Sequence, residues 1–276
     1  MSEKPIWQMT AVEIASAVGS GQLSAVEVTE AILSRIEALD VHLNAFCISM
    51  ADSARASAAS IDAGISRGED PGPLCGVPVS IKDNLYIEGE RTTFGSKWFE
   101  HNVTPEDTPV VTRLRQAGAV LIGRTNSPEF GWKGATDNLV FGTTRNPWNT
   151  ERTPGGSSGG ASAAVSSGMG PVGIGTDGGG SVRIPAAFAA CNPTTVSSKT
   201  RQCSLFAPSF SAVSRKLVLG CRSGFVCGLK SAEVELGWLF AHCVFVESCF
   251  KDAFERLDRA DRKAYGHDAD GNSGDS

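Results

Sequence analysis

The spacing of apolar and polar residues predicts three helices in the first 65 positions of the chain. Thr10 with Glu13, and Ser24 with Glu27, match the S/T-x-x-E capping box, in which two side chains satisfy the exposed amides at a helix start. After the second box, apolar residues recur at helical spacing and predict one buried stripe, formed by Val28, Ile32, Ile36 and Leu39. Residues 51–65 are rich in alanine and predict the third helix.

Beyond these helices, short apolar runs predict buried strands that alternate with helices. Strands are predicted at residues 76–81, 119–122 and 171–176. One helix is predicted to begin at Pro109, because proline suits the first position of a helix, and another is predicted at residues 158–167. The recurrence of helix followed by strand indicates an α/β fold around a mainly buried sheet.

Composition and charge narrow the classes of protein. The 276 residues include 25 Lys plus Arg and 30 Asp plus Glu, for a net charge of −5, and 41% are hydrophobic, which suffices for a core. This mild negative charge argues against nucleic acid or an anionic membrane as the main partner. The 31 glycines exceed the usual share of about 7% but form no Gly-X-Y repeat. They are clustered, which indicates sites built from backbone.

The N-terminus and the cysteines favour a cytoplasmic protein. Residues 1–8 contain no apolar segment of the kind found in secretory signals. The longest apolar run, residues 236–246, is too short to span a bilayer. The eight cysteines form no C-x-x-C pair and are too few for a disulfide scaffold. We therefore expect a reducing compartment and no membrane as partner.

Three glycine-containing segments carry residues suited to chemistry: 76–84 (GVPVSIKDN), 153–160 (TPGGSSGG) and 173–185 (GIGTDGGGSVRIP). Ser181 follows several glycines, whose backbone N–H groups can converge to stabilise an oxyanion, but a serine nucleophile also needs a base. None of the histidines lies in a motif; they are His42, His101, His242 and His267. Lys82, at the end of an apolar strand, can act as the base if it is kept neutral. The alternative for Lys82 is a surface lysine just past a strand end.

The glycines also invite a nucleotide-binding interpretation. Gly173, Gly175 and Gly178 match G-x-G-x-x-G, but a dinucleotide site needs an acidic residue about 20 positions further on, and none occurs before Glu233. The second segment lacks the G-K-[ST] ending of a phosphate loop. Taken singly, both segments are also compatible with flexible turns, and a nucleotide-binding module is the least favoured function.

Taken together, the three segments resemble the amidase signature family. That family combines a lysine in G-V-P-x-x-x-K-D, a G-G-S-S-G-G turn and a T-D-x-G-G-S-x-R-x-P segment, all present here in the same order. Ser157 and Ser181 stand 24 residues apart, which is the family's spacing. The resemblance covers residues 7–190. It implies the amidase-signature fold, an α/β fold with a mixed twisted sheet covered by helices.

The resemblance implies amide hydrolysis by a Ser-cisSer-Lys triad. Ser181 would be the acyl-enzyme nucleophile, Lys82 the general base, and Ser157, preceded by a cis peptide bond, the bridge between them. The oxyanion hole would be formed by the backbone amides of Gly178, Gly179, Gly180 and Ser181. The supporting network would be formed by Ser158, Asp177 and Arg183. The resemblance implies a small-molecule amide substrate and neither a metal nor an organic cofactor, and it allows a homodimer.

After Ala190 the resemblance ends and the composition changes. Between Gly178 and Ala232 there are seven Lys or Arg, no Asp or Glu, and no clear helix or strand period. We therefore expect two parts: residues 1–190 as the amidase-signature catalytic region, and residues 191–276 as a frame-shifted or disordered tail of a product truncated on its C-terminal side. A basic binding patch is the alternative for the second part.

Two other functions stay open beside a stand-alone amidase. One is the glutaminase (A) subunit of a tRNA-dependent amidotransferase, which uses the same triad and passes ammonia to a partner. Residues 134–138, followed by Phe141, are more similar to stand-alone amidases. The other is an inactive truncated remnant, in which lost burial leaves Lys82 hydrated and protonated.

Overall fold

The computed structural model describes residues 4–190 and the backbone of two later strands, residues 192–196 and 202–207. The α-helices are α1 (Ala11–Gly19), α2 (Ala25–Leu43), α3 (Ala51–Ser66), α4 (Pro109–Gln116), α5 (Gly159–Ser166) and α6 (Arg183–Ala189). The strands are β1 (Phe46–Ser49), β2 (Pro78–Lys82), β3 (Val120–Thr125), β4 (Asp137–Asn138), β5 (Gly142–Thr143), β6 (Val172–Asp177), β7 (Asn192–Val196) and β8 (Gln202–Ala207). Short 3-10 helices cover Ile6–Gln8, Lys97–Phe99 and Glu129–Gly131.

Both predicted capping boxes are present. The amide of Glu13 donates to Thr10 Oγ1 at 3.2 Å, and the amide of Thr10 donates to the Glu13 carboxylate at 2.6 Å. Ser24 and Glu27 form the same reciprocal pair at the start of α2. Asp62, on α3, accepts from two further amides in the first turn of α2. A carboxylate there complements the positive end of the helix and joins α3 to α2.

Six strands form one mixed sheet in the order β1-β3-β2-β6-β8-β7. β2 runs parallel to both β3 and β6, whereas β1, β8 and β7 join through antiparallel pairs. β4 and β5 form a separate two-stranded sheet. In the central register, Ile81 lies opposite Ile174 of β6 and Arg124 of β3. The parallel strands β2 and β6 therefore end at the same edge of the sheet.

The central strands are buried on both faces, as expected for parallel strands covered by helices. Every residue of β2, β3 and β6 is buried. Helices α2, α3 and α5 pack against these strands. Apolar side chains of the sheet make the centre of the core; they include Val79, Ile81, Ile122 and Ile174. The predicted α/β architecture, a mixed sheet covered by helices, is confirmed.

Three elements occur where the sequence shows no helix or strand period: α6, β7 and β8. Strand β8 pairs antiparallel with β6, and β7 pairs with β8. These strands form through backbone hydrogen bonds to β6 and to each other, and such pairing does not require alternation of apolar and polar residues. Both strands fall within residues 191–276, the part that the sequence analysis expects to be a frame-shifted or disordered tail. The remainder of the predicted tail lies outside the described residues.

The predictions about membrane and cysteines can be compared only with the described residues. Among the helices there, none is long and apolar enough to cross a bilayer. Cys47 and Cys75 are free thiols, and the other cysteines lie outside the part whose side chains are described.

Candidate active site

The three glycine-containing segments meet at one edge of the sheet. Lys82 is the last residue of β2, and Asp177 is the last residue of the parallel strand β6. The carboxyl ends of parallel strands are where open α/β sheets bind ligands. Helix α5 begins at the same place, directly after Ser157 and Ser158. The sheet register thus assembles residues that are far apart in the chain.

The side-chain nitrogen of Lys82 is surrounded by hydroxyl groups. Lys82 Nζ lies within hydrogen-bond distance of three hydroxyl oxygens: 2.7 Å from Ser157 Oγ, 3.0 Å from Ser158 Oγ and 3.0 Å from Thr176 Oγ1. Lys82 is 0% exposed, and none of the three hydroxyl residues is more than 6% exposed. The alternative that Lys82 is a surface lysine past a strand end is therefore wrong.

Ser157 lies in a tightly packed glycine turn. The peptide bond between Gly156 and Ser157 is cis, as the resemblance implies. A Cβ atom on Gly156 would lie 2.7 Å from the carbonyl oxygen of Ala135, and one on Gly160 would lie 2.5 Å from the amide nitrogen of Asn126. Both contacts are with backbone, which cannot yield as a flexible side chain can. Glycine at these two positions lets the turn approach its neighbours.

The segment that carries Ser181 lies against the segment that carries Ser157. The amide of Ser158 donates to the carbonyl oxygen of Ser181 at 3.0 Å. Ser181 is half-buried, and Gly178 and Gly179 before it are exposed. Of the three predicted catalytic side chains, Lys82 and Ser157 are in direct contact. Within the described part of the chain, the hydroxyls of Ser157 and Ser181 are not hydrogen-bonded to each other. Such catalytic hydrogen bonds are often completed only when substrate binds.

The carboxylate of Asp177 organises the loop that contains Ser181. It accepts from the amides of Gly180 at 2.6 Å, Val182 at 3.1 Å and Arg183 at 3.3 Å. The guanidinium of Arg183 adds two hydrogen bonds of 3.0 Å. Burial acts to raise the pKa of Asp177, but the hydrogen bonds from Arg183 and the amides outweigh it and hold the pKa well below its usual range. Asp177 therefore stays an anion and ties the loop to the end of β6.

One predicted oxyanion donor has a different hydrogen-bond partner. The amide of Gly180 points to Asp177, three residues earlier in the chain. A carboxylate competes well for an amide because hydrogen bonds to charged groups are about twice as strong as neutral ones. The oxyanion role of the neighbouring amides, those of Gly178, Gly179 and Ser181, stays a prediction.

Comparison with known proteins gives the family. The family sequence model described as Amidase matches residues 27–229, which is more than half of the chain. The chain belongs to the amidase signature family. The A subunit of glutamyl-tRNA(Gln) amidotransferase from Carboxydothermus hydrogenoformans is 46% identical over 183 residues, covering 66% of this chain and 38% of that protein. Its counterpart of the same name from Acidothermus cellulolyticus is 48% identical over 178 residues, covering 64% and 35%.

Solved amidase structures have the same fold. A bacterial aryl acylamidase of the amidase signature family has a TM-score of 0.67 and 39% identity, over 70% of this chain and 40% of that chain. The 6-aminohexanoate cyclic dimer hydrolase has a TM-score of 0.65 and 35% identity, over 75% and 45%. The chain spans 38% and 35% of the length of these two curated relatives.

Three residues at the candidate site are not among those predicted from the sequence. Thr176 Oγ1 accepts from Lys82 Nζ and, at 2.9 Å, from Asn84 Nδ2. Asn84 lies two residues after the candidate base, which is a sequence signal that could have found it. Thr176 lies inside a predicted segment, but only the pairing of β6 with β2 brings it beside Lys82. Gly131 lies in none of these segments. A Cβ atom on Gly131 would be 3.2 Å from Ser157 Oγ and 3.9 Å from Lys82 Nζ, so its backbone forms one wall of the site.

A buried ion pair holds the chain just beyond Lys82. Arg124 Nε lies 2.9 Å from Asp83 Oδ1, and the two side chains are 0% and 1% exposed. Arg124 also donates to the carbonyl oxygen of Leu85 at 2.7 Å, and the amide of Thr93 donates to Asp83 at 3.2 Å. These contacts join β3 to the loop after β2. The position of Lys82 therefore depends on the hydrogen bonds and the ion pair made by Asp83, the next residue in the chain.

The described residues give less support to a metal-dependent reaction or to a cysteine nucleophile. There, no group of His, Cys, Asp and Glu is arranged to hold a metal ion. Burial raises the pKa of the Cys47 thiol well above its ordinary value, and burial also raises that of Cys75. Because the thiolate is the reactive form, neither cysteine is suited to act as a nucleophile.

Proposed function

We propose that this amidase hydrolyses a small carboxylic amide to a carboxylic acid and ammonia or an amine. The observation that carries the proposal is the buried contact of 2.7 Å between Lys82 Nζ and Ser157 Oγ. Burial disfavours a charged amine, and the neutral amine is the form that can accept a proton. Lys82 is then the general base, Ser157 the bridge and Ser181 the nucleophile.

Acylation begins with proton transfer along these three side chains. As Ser181 Oγ attacks the amide carbon, its proton passes to Ser157 Oγ, and the proton of Ser157 passes to Lys82 Nζ. The tetrahedral intermediate collapses when its C–N bond breaks. The leaving nitrogen takes a proton returned from Lys82 through Ser157. The products of this step are ammonia or an amine and an ester on Ser181.

Deacylation repeats the transfer with water in place of Ser181. Water attacks the ester carbon and gives a proton through Ser157 to Lys82. The C–O bond to Ser181 then breaks, and the serine oxygen recovers a proton by the same route. The carboxylic acid leaves, and the three side chains return to their starting protonation.

The loop after β6 is suited to stabilise the negative charge that develops on the carbonyl oxygen. The amides of Gly178, Gly179 and Ser181 are the candidate donors, and Asp177 with Arg183 holds their loop in place. One such donor is worth about 10²–10³ in kcat in a well-studied protease. In this proposal Asp177 and Arg183 act on the loop and do not touch the substrate.

Ammonia release tests the proposed function. Folded chain 1–276 is incubated with a panel of primary aliphatic and aromatic amides, and ammonia is measured by an enzyme-coupled assay. We expect hydrolysis that falls at least about 10³-fold in Ser181→Ala. Ser60→Ala, which changes an exposed serine on α3, serves as the matched control and keeps full activity. Failure of the folded protein to hydrolyse any amide favours an inactive protein.

A second candidate is the glutaminase component of a tRNA-dependent amidotransferase. Its support is that both curated relatives described above carry the name of the A subunit of glutamyl-tRNA(Gln) amidotransferase. The same triad would then act on glutamine and pass ammonia to a partner protein. Glutamine is therefore included in the amide panel, with and without the partner proteins of such an enzyme. Hydrolysis of glutamine that depends on the partners favours this candidate, and hydrolysis of simple amides without them favours a stand-alone amidase.

A further inference from the structure

Asn84 and Thr176 make a second buried contact to the candidate base, and the reaction steps above use neither residue. Thr176 Oγ1 accepts from Asn84 Nδ2 at 2.9 Å and from Lys82 Nζ at 3.0 Å. Two accepted hydrogen bonds use both lone pairs of the threonine oxygen. Asn84 Oδ1 has no hydrogen-bond partner in the described part of the chain. In that part of the chain, the Asn84 side chain therefore makes one hydrogen bond, to Thr176 Oγ1, and this oxygen also contacts Lys82 Nζ.

The hydroxyls around Lys82 differ in the direction of their hydrogen bonds. Ser158 Oγ donates to the carbonyl oxygen of Thr176 and accepts from the amide of Thr176, both at 3.3 Å. Its single proton is therefore engaged, and it can only accept from Lys82. Thr176 likewise accepts from Lys82. A neutral amine that gives its two N–H groups to Ser158 and Thr176 directs its lone pair at Ser157, as proton transfer from Ser157 requires.

The charged groups near Lys82 are arranged in neutralised pairs. Asp83, the next residue, pairs with Arg124, and Asp177, next to Thr176, pairs with Arg183. Asn84 also lies near Lys82, and its side chain is a neutral amide. A carboxylate at position 84 would place a negative charge one hydroxyl group away from Lys82 Nζ. That charge would favour the protonated lysine, which cannot act as a base.

We propose that Asn84 is a positioning residue that acts through Thr176 to orient the Lys82 amine and to keep it neutral. This inference rests on the proposed function, in which Lys82 is the base. Asn84 touches neither the substrate nor the reacting atoms in this scheme. Its amide supplies a donor to Thr176 without supplying a charge, and aspartate, its closest isostere, does not meet both conditions.

The pH dependence of kcat/KM tests this role. Asn84→Asp is expected to move the acid limb of the profile upward by about one pH unit or more, because a nearby anion raises the pKa of a lysine. Thr176→Val removes the acceptor and is expected to lower kcat at least about tenfold with KM little changed, while Thr176→Ser restores most of it. Asn149→Asp adds the same charge in an exposed loop and should leave the profile in place.

A measurement without turnover separates this inference from the proposed function. Lysines labelled with ¹³C at Cε are titrated by NMR in folded chain 1–276, with the Lys82 signal assigned from its loss in Lys82→Met. The inference predicts a higher pKa for Lys82 in Asn84→Asp than in the unmodified protein and in Asn149→Asp. An unchanged Lys82 titration overturns it, even if the protein is an active amidase. A shifted titration in a protein that hydrolyses no amide supports it and rejects the proposed function alone.

Discussion

Lys82 Nζ and Ser157 Oγ lie 2.7 Å apart although the two residues are separated by 75 positions in the chain. The parallel pairing of β2 with β6 brings Lys82 beside Thr176, and Thr176 is hydrogen-bonded to Ser158, the residue after Ser157. Both residues are buried, with 0% and 1% exposure, so the contact is formed away from solvent. This contact makes a lysine a credible base in a protein whose histidines lie in no motif.

The first prediction concerns Lys82 itself. Lys82→Met keeps a side chain of similar reach but removes the nitrogen that contacts three hydroxyls. We expect kcat to fall by about 10²–10⁴, the usual contribution of general acid–base catalysis. Initial rates with the best amide substrate measure it. Lys97→Met, which changes an exposed lysine, should match the unmodified protein, and a Lys82→Met rate within threefold of it would reject the role of base.

The buried ion pair beyond Lys82 predicts a large effect on stability. Arg124→Met leaves the Asp83 carboxylate buried without its guanidinium partner. Breaking a buried pair on one side costs about 3–5 kcal/mol, so we expect a fall in Tm of roughly 6–20 °C. Thermal unfolding followed by circular dichroism measures it. The matched control is Arg55→Met, which breaks the exposed pair with Glu30 and should leave Tm nearly unchanged.

The glycine turn predicts that one added methyl group is not tolerated. In Gly160→Ala, the new Cβ would lie 2.5 Å from the amide nitrogen of Asn126 and 2.6 Å from the carbonyl oxygen of Ala45. Overpacking of this kind costs about 1–3 kcal/mol, and here it also displaces the start of α5 and the serine before it. We expect a lower Tm and a loss of amidase activity. Gly19→Ala has no atom within 4 Å of the new Cβ and should change neither.

The lowered pKa of Asp177 leads us to expect that the stability of the fold depends on pH. Its pKa in the folded protein lies below the ordinary value, so the carboxylate stabilises the fold fully above about pH 4 and loses this effect as pH falls further. Relative to Asp177→Asn, the unmodified protein should be more stable by about 1–3 kcal/mol at pH 7, a difference that shrinks below pH 4. Urea unfolding between pH 3 and pH 8 measures both proteins. Asp52→Asn, at an exposed position of α3, should show no comparable difference, and a gap that widens toward low pH would contradict this account.

Local patterns in the sequence predicted the elements, and motif order predicted much of the site. The capping boxes at Thr10 and Ser24 and the apolar run before Lys82 are local signals, so they could be interpreted without the fold. The contact between the Thr176 hydroxyl and Lys82 could not be predicted from the sequence, because it depends on the register of β6 against β2, which no local pattern encodes.

Two further features depend on long-range geometry. Arg124 pairs with Asp83 across 41 positions of sequence, and neither residue stands out in an apolar strand pattern. Gly131 approaches Ser157 because its loop packs there, although it belongs to no recognised segment. Strands β7 and β8 form by pairing with an existing sheet edge, so their sequences needed no period of their own.

Labelling of Ser181 by a fluorophosphonate is the most direct test of the central claim that Lys82 and Ser157 activate this serine. Folded chain 1–276 is treated with the probe, and the modified residue is located by peptide mass spectrometry. The account predicts modification of Ser181, strong reduction in Lys82→Met and none at that position in Ser181→Ala. A folded, unmodified protein that takes up no probe, or that is labelled equally in Ser181→Ala, would contradict it.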